Sequence, residues 1–149
     1  MQQKELVYSL ISTSVNETEA CGMQFARQLS SGDFIAMYGD LGAGKTAFIR
    51  GLCRVIVPDI ETSSPTYSVV NEYSSNGMTI YHMDAYRISS DDDLESIGFY
   101  DYLKEGICIA EWCENIKDQL PEDRYDVFFE KISENERRIA VIRVKEAEE

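Results

Sequence analysis

Gly39-Asp40-Leu41-Gly42-Ala43-Gly44-Lys45-Thr46 is the stretch that decides the fold. It fits the pattern G-x-x-x-x-G-K-[ST], in which each residue type has a physical task. The glycines let the backbone turn so that successive N–H groups face an anion. The lysine reaches the β- and γ-phosphates of a nucleotide, and the threonine hydroxyl ligates magnesium. Such a loop needs a buried strand before it and a helix after it, whose N-terminal end adds positive potential. Both flanks are readable. Phe34 to Tyr38 is a short apolar run of the kind found in buried parallel strands. Lys45 to about Val55 predicts a helix with Phe48, Ile49, Leu52, Val55 and Ile56 on its apolar side, ended by Pro58.

Upstream, Leu6 to Ile11 predicts a strand. Ser14 or Asn16 then caps a helix running through Leu29, which Ser31-Gly32-Asp33 breaks. Downstream, Ser63-Ser64-Pro65-Thr66 is a loop, and Tyr67 to Tyr73 and Met78 to Met83 are strands around Ser75-Asn76-Gly77. Leu94 to Leu103 reads as one short helix despite Gly98, Ile107 to Ala110 as a buried strand, and Trp112 to Leu120 as a helix stopped by Pro121. Tyr125 to Ile132 and Arg138 to Val144 alternate around Ser133-Glu134-Asn135-Glu136, the pattern of an antiparallel hairpin. The order of elements predicts an α/β fold, a three-layer sandwich like that of P-loop nucleoside triphosphatases. Its sheet is expected to be mixed and mainly parallel, with a C-terminal antiparallel hairpin, and residues 1–149 form a single domain.

Fourteen basic against 27 acidic residues give a net charge of −13. No basic stripe is present, so stable binding of nucleic acid by this chain alone is not expected. The four cysteines, Cys21, Cys53, Cys108 and Cys113, form no CxxC pair, and His82 is the single histidine. Reduced, mostly buried thiols of a cytoplasmic protein fit better than a zinc site. No apolar stretch reaches the length of a membrane span or a signal-peptide core, so no membrane association is expected.

A phosphate cradle hydrolyses nothing by itself. Magnesium needs carboxylates, directly or through water, and the attacking water needs orienting. Glu111 follows the buried strand Ile107 to Ala110, and Asp84 follows the strand ending Tyr81-His82-Met83. Both are therefore candidate catalytic residues and, with Thr46, candidate metal ligands. Asn115-Ile116-Lys117-Asp118 misses the guanine-reading pattern N-K-x-D because its lysine comes one place late, and it reads as a solvated helix face. That favours ATP over GTP as the nucleotide.

Four strings in series resemble one family, the TsaE (YjeE) ATPases of bacterial tRNA threonylcarbamoyladenosine synthesis. They are the loop Gly39 to Thr46, Ser64-Pro65-Thr66-Tyr67, His82-Met83-Asp84-Ala85-Tyr86-Arg87, and Glu111-Trp112-Cys113-Glu114. The resemblance covers about residues 6 to 120. Tyr67 stands where the family commonly has phenylalanine and Ala47 where it commonly has serine or threonine, and neither change removes a ligand.

The resemblance implies ATP as substrate and Mg2+ as cofactor. Nucleotide contacts are expected from Asp40, Leu41, Gly42, Ala43, Gly44, Lys45, Thr46 and Ala47, with Ser64 and Thr66 in a switch-type loop near the γ-phosphate. It places Asp84 and Glu111 at the magnesium and the attacking water, and Trp112 close to the nucleotide. Arg87 stabilises negative charge or bridges to a nearby acid; His82 orients the acidic partner or is structural. It also implies TsaD and TsaB as partners, with hydrolysis resetting their complex. A small-molecule kinase, or a regulatory module that binds ATP without hydrolysing it, are the rival readings.

Overall fold

The structure, a computed structural model, describes residues 2–40, 43–59, 70–86, 88 and 90–146. Its strands are β1 (Gln2–Ser12), β2 (Phe34–Tyr38), β3 (Val70–Ser75), β4 (Met78–Asp84), β5 (Ile107–Glu111), β6 (Arg124–Lys131) and β7 (Arg137–Glu146). Its helices are α1 (Val15–Ala26), α2 (Lys45–Ile56), α3 (Asp91–Ser96) and α4 (Phe99–Glu105), followed by a 3-10 helix at Cys113–Gln119.

All seven strands join one mixed sheet in the order β1-β7-β6-β2-β5-β4-β3. The four central strands, β6-β2-β5-β4, pair in parallel, while β3 and the β7-β1 flank pair antiparallel. The expected C-terminal hairpin is present, and β6 inserts it directly beside the strand that leads into the phosphate loop. Alternation along the central strands builds two cores. Ile35, Met37, Ile80, Ile107, Ile109, Val127 and Phe129 pack on one face under α1 and α2. Phe34, Ala36, Tyr81, Met83, Cys108 and Ala110 pack on the other, under α3, α4 and the 3-10 helix. Burial on both faces is why these strands read as continuous apolar runs.

Ser14 settles the start of α1, since its side chain accepts the Glu17 N–H at 3.1 Å. Helices α1 and α2 touch backbone to backbone. A Cβ on Gly22 would lie 2.0 Å from the Phe48 carbonyl oxygen, and one on Gly51 would lie 1.9 Å from that of Glu19. Beside this contact, Glu19 receives Arg50 at 3.2 Å and Arg54 at 3.5 Å. The carrier of the phosphate-loop lysine is thus seated directly on α1.

Three elements differ from expectation. β1 begins at Gln2 because its polar first residues pair along an edge, Gln2 with Glu146 and Lys4 with Val144, where no apolar periodicity marks them. The helix expected over Leu94 to Leu103 divides into α3 and α4 at Gly98, whose φ is 84°. The helix expected from Trp112 is a 3-10 helix starting at Cys113, with Ile116 off helical geometry. Of the strand expected from Tyr67 to Tyr73, residues 67–69 lie outside the described residues. None of the described helices is long and apolar enough to cross a membrane.

Candidate functional site

The phosphate loop joins β2 to α2 at the C-terminal edge of the parallel strands, the edge where open α/β sheets bind ligands. Gly39 has φ 145° and Gly44 has φ 104°, both in the region that favours glycine. A Cβ on Gly39 would also lie 2.7 Å from the Phe129 carbonyl oxygen, so β6 presses the loop's first residue to bare backbone. Asp40 is exposed, and its carbonyl accepts the Ala43 N–H at 3.1 Å. Ala43 and Ala47 are buried, and Thr46 is exposed in the first turn of α2. Leu41 and Gly42 lie outside the described residues, as do Ser64, Thr66 and Arg87.

Lys45, the first residue of α2, is 6% exposed. Its Nζ donates to the Gly39 carbonyl at 2.6 Å and stands 3.9 Å from Glu111 Oε1. It also lies 4.8 Å from the centroid of the Trp112 ring. The ammonium is thereby fixed at the mouth of the loop, between a carbonyl, a carboxylate and an aromatic face.

The two carboxylates read from the sequence come together by register. β4 and β5 are parallel neighbours, and Asp84 pairs with Glu111. Residues directly paired in a sheet point to the same face. That face is the α2 side, since Ile80 and Ile107 of the same rows belong to the core beneath α1 and α2. Glu111 is buried, and its Oε2 accepts His82 Nε2 at 2.6 Å. A carboxylate oxygen can only accept, so Nε2 is the ring nitrogen that donates. The other ring nitrogen, Nδ1, is buried and meets no partner among the described residues. Asp84 Oδ1 accepts the Tyr86 N–H at 2.9 Å, which closes a turn at the exit of β4.

Trp112 follows Glu111 with φ 60° and ψ 42°. A non-glycine residue in that left-handed region costs about 1 kcal/mol or more and persists only where surroundings hold it. The holding contacts are visible. Tyr86 packs edge-on against the Trp112 ring at 5.2 Å, and the Asn115 amide donates to the carbonyls of Ala85 at 3.1 Å and Tyr86 at 3.0 Å. Asn115 was expected only as a solvated helix face. Its acceptors are backbone atoms far upstream, so no sequence pattern marks it.

A second group was missed outright. Beside Gly44 and Ala47 opens a cavity of about 130 Å3 lined by Ser14, Val15, Thr18, Glu134, Asn135 and Arg137. The start of α1 and the β6–β7 turn form its walls. Arg137 Nη1 donates to the carbonyls of Ser133, Glu134 and Glu136 at 2.7, 3.1 and 3.0 Å, which ties the turn into shape. The only sequence signal is a polar hairpin turn.

For magnesium, the chemistry of the donors fits. Thr46, Asp84 and Glu111 offer a hydroxyl and carboxylate oxygens, and magnesium binds through one or two carboxylates together with substrate phosphates. Buried thiols offer no alternative chemistry. Burial pushes Cys53 and Cys108 up to about 12, and Cys113 is raised further by the same cause.

Comparison with known proteins identifies the family. Residues 12–139 match the family described as threonylcarbamoyl adenosine biosynthesis protein TsaE. The tRNA threonylcarbamoyladenosine biosynthesis protein TsaE of Bacillus subtilis is 35% identical over 83% of this chain and 77% of its own. The protein of the same name from Treponema pallidum is 33% identical over 88% of this chain and 97% of its own. The crystal structure of Bacillus subtilis YdiB superposes with a TM-score of 0.77 at 28% identity, covering 96% of this chain and 87% of that one. The chain therefore belongs to the TsaE family of tRNA threonylcarbamoyladenosine biosynthesis proteins.

Proposed function

We propose that this TsaE-family chain is a magnesium-dependent ATPase that serves tRNA threonylcarbamoyladenosine synthesis in a complex with TsaD and TsaB. The observation that carries the proposal is the convergence at one sheet edge. Lys45 stands 3.9 Å from Glu111, and Asp84 is the register partner of Glu111 on the next strand.

Phosphoryl transfer asks a protein chiefly for positioning and for charge placed against the transferring group. Lys45 and the loop N–H groups take the β- and γ-phosphates. Thr46, Asp84 and Glu111 would hold magnesium, which when bound neutralises charge on the phosphate oxygens. Of the two carboxylates, one serves the metal side and the other orients the attacking water. His82 fixes the Glu111 carboxylate through Oε2, which leaves Oε1 facing Lys45. The cavity beside Gly44 is where the ribose and base would lie, walled by the hairpin on the side of β2 away from the carboxylate-bearing strands.

The partners enter for a physical reason as well as by family. A net charge of −13 leaves this chain poorly suited to hold tRNA, so the modification chemistry belongs to other subunits. Hydrolysis is then a step of the assembly, fastest when partners order the site.

The test follows the fluorescence of Trp112, the single tryptophan, during titration with ATP, ADP and GTP in magnesium, while phosphate release is measured with and without TsaB and TsaD. A response saturating with ATP and ADP but not GTP, with release dependent on partners, is expected. A GTP response removes the base assignment. Binding without release under any condition removes the ATPase. Release as fast from the isolated chain as from the complex removes the partner dependence.

A further inference from the structure

We propose that Trp112 is a positioning residue for Lys45. Its ring holds the ammonium at the mouth of the loop before any phosphate arrives, and the aromatic pair Tyr86–Trp112 with Asn115 forms the brace that makes this possible. The inference rests on the nucleotide-binding reading and deepens it.

Four observations lead there. Lys45 Nζ is 4.8 Å from the Trp112 centroid, within the range of a cation–π contact. Trp112 sits in the left-handed region immediately after Glu111, an outlier that turns its side chain back toward α2 while the chain leaves the sheet. Tyr86, 63% exposed, packs edge-on against the indole instead of joining the core. Asn115 ties the residue after β4 to the turn after β5 with two hydrogen bonds. A tryptophan held only for packing needs neither the strained backbone nor the exposed brace.

The physical consequence is preorganisation. A lysine side chain carries one of the largest rotamer entropies of any residue. A loop whose lysine is already confined forfeits less of this on binding. The Gly39 carbonyl and Glu111 confine Nζ from two sides, and the indole closes a third. An aromatic face takes up none of the ammonium's donors as a hydrogen-bond acceptor would, so beyond the bond to Gly39 they stay available to phosphate oxygens.

Two variants separate this role from packing. Trp112→Gly removes the ring and suits the left-handed backbone, so the turn keeps its shape. Trp112→Phe keeps an aromatic face. Affinity for ATP and ADP is read by displacement of a fluorescent ADP analogue, and the position of Lys45 by the upfield ring-current shift of its ε-methylene protons in the nucleotide-free protein. The expected result is that Trp112→Gly loses the shift and binds both nucleotides about tenfold more weakly at an unchanged melting temperature, while Trp112→Phe keeps part of the shift and stays within about threefold of the parent. Glycine binding like the parent, or phenylalanine falling as far as glycine, overturns the proposal. So does a Lys45 shift that is absent from the parent protein. Failure of the parent protein to bind either nucleotide sinks the ATPase reading instead.

Discussion

The phosphate loop lies between two unlike flanks. On one side, β5 and β4 end in carboxylates that meet by register, with His82 behind Glu111 and Trp112 in front of Lys45. On the other, the β6–β7 hairpin and the start of α1 enclose a small cavity built from a turn, Asn135 and Arg137. The first flank is dense with charge and hydrogen bonds. The second is shape supported by backbone. Charged groups are thus concentrated where parallel strands end, and the other flank is left to a hairpin that the sheet merely carries.

This contrast can be broken by separate experiments. Glu111→Gln removes the charge that faces Lys45 and keeps the shape, so hydrolysis in the assembled complex should fall by about 10²- to 10⁴-fold while ATP still binds. Asp84→Asn should do the same if the two carboxylates act as one unit. Measured single-turnover rates decide it, and a wild-type rate for either variant removes that residue from the chemistry.

The hairpin flank is tested next through stability. Arg124 and Asp126 are both buried on β6 and bridged at 2.8 Å, with Arg124 also donating to the Pro121 carbonyl at 3.0 Å. Arg124→Ala strands a buried carboxylate and should cost about 3–5 kcal/mol, seen as a fall in melting temperature of roughly 10 °C. An unchanged melting curve would mean that β6 is held by the sheet alone.

A smaller effect is expected inside the cavity. Arg137→Ala loosens the turn and should weaken ATP binding by about tenfold with the hydrolysis rate at saturation unchanged. A loss confined to turnover would place Arg137 with the carboxylates and erase the distinction between flanks.

At neutral pH the smallest effect concerns the thiols, and it grows only in alkali. Burial holds Cys53 and Cys108 up to about 12, so the native protein should leave them unalkylated at neutral pH, with full labelling only in denaturant. Their unfolded thiols ionise near about 8.5. The unfolded chain therefore binds fewer protons above that pH, and stability falls as pH rises from about 8.5 toward 12. A melting temperature that is flat between pH 8 and about pH 10.5 would contradict this burial.

Legibility in the sequence follows the same division. Phe34–Tyr38, the loop and α2 were readable because burial on two faces and a fixed motif constrain residue type at each position. Glu111 and Asp84 were readable as acids directly ending apolar strands, although only the register shows that they are neighbours. Asn115 and Arg137 were not, since both act on backbone carbonyls, and a carbonyl leaves no trace in residue identity. The polar start of β1 was missed for a related reason. An edge strand exposed on both faces has no alternation to detect.

The backbone contact at Gly22 and Gly51 has a consequence for how tolerance to change is distributed along the chain. Neither position faces the nucleotide loop's opening, yet any side chain there would collide with main-chain atoms and push α2 off α1. Displacement of α2 moves Lys45 and Thr46, which are its first two residues. In a saturation scan selected for activity, both glycines should therefore score as intolerantly as the lysine itself. Ranking positions by such scores would count two spacers among the reactive groups, and only a folding readout run in parallel would sort gauge from tool.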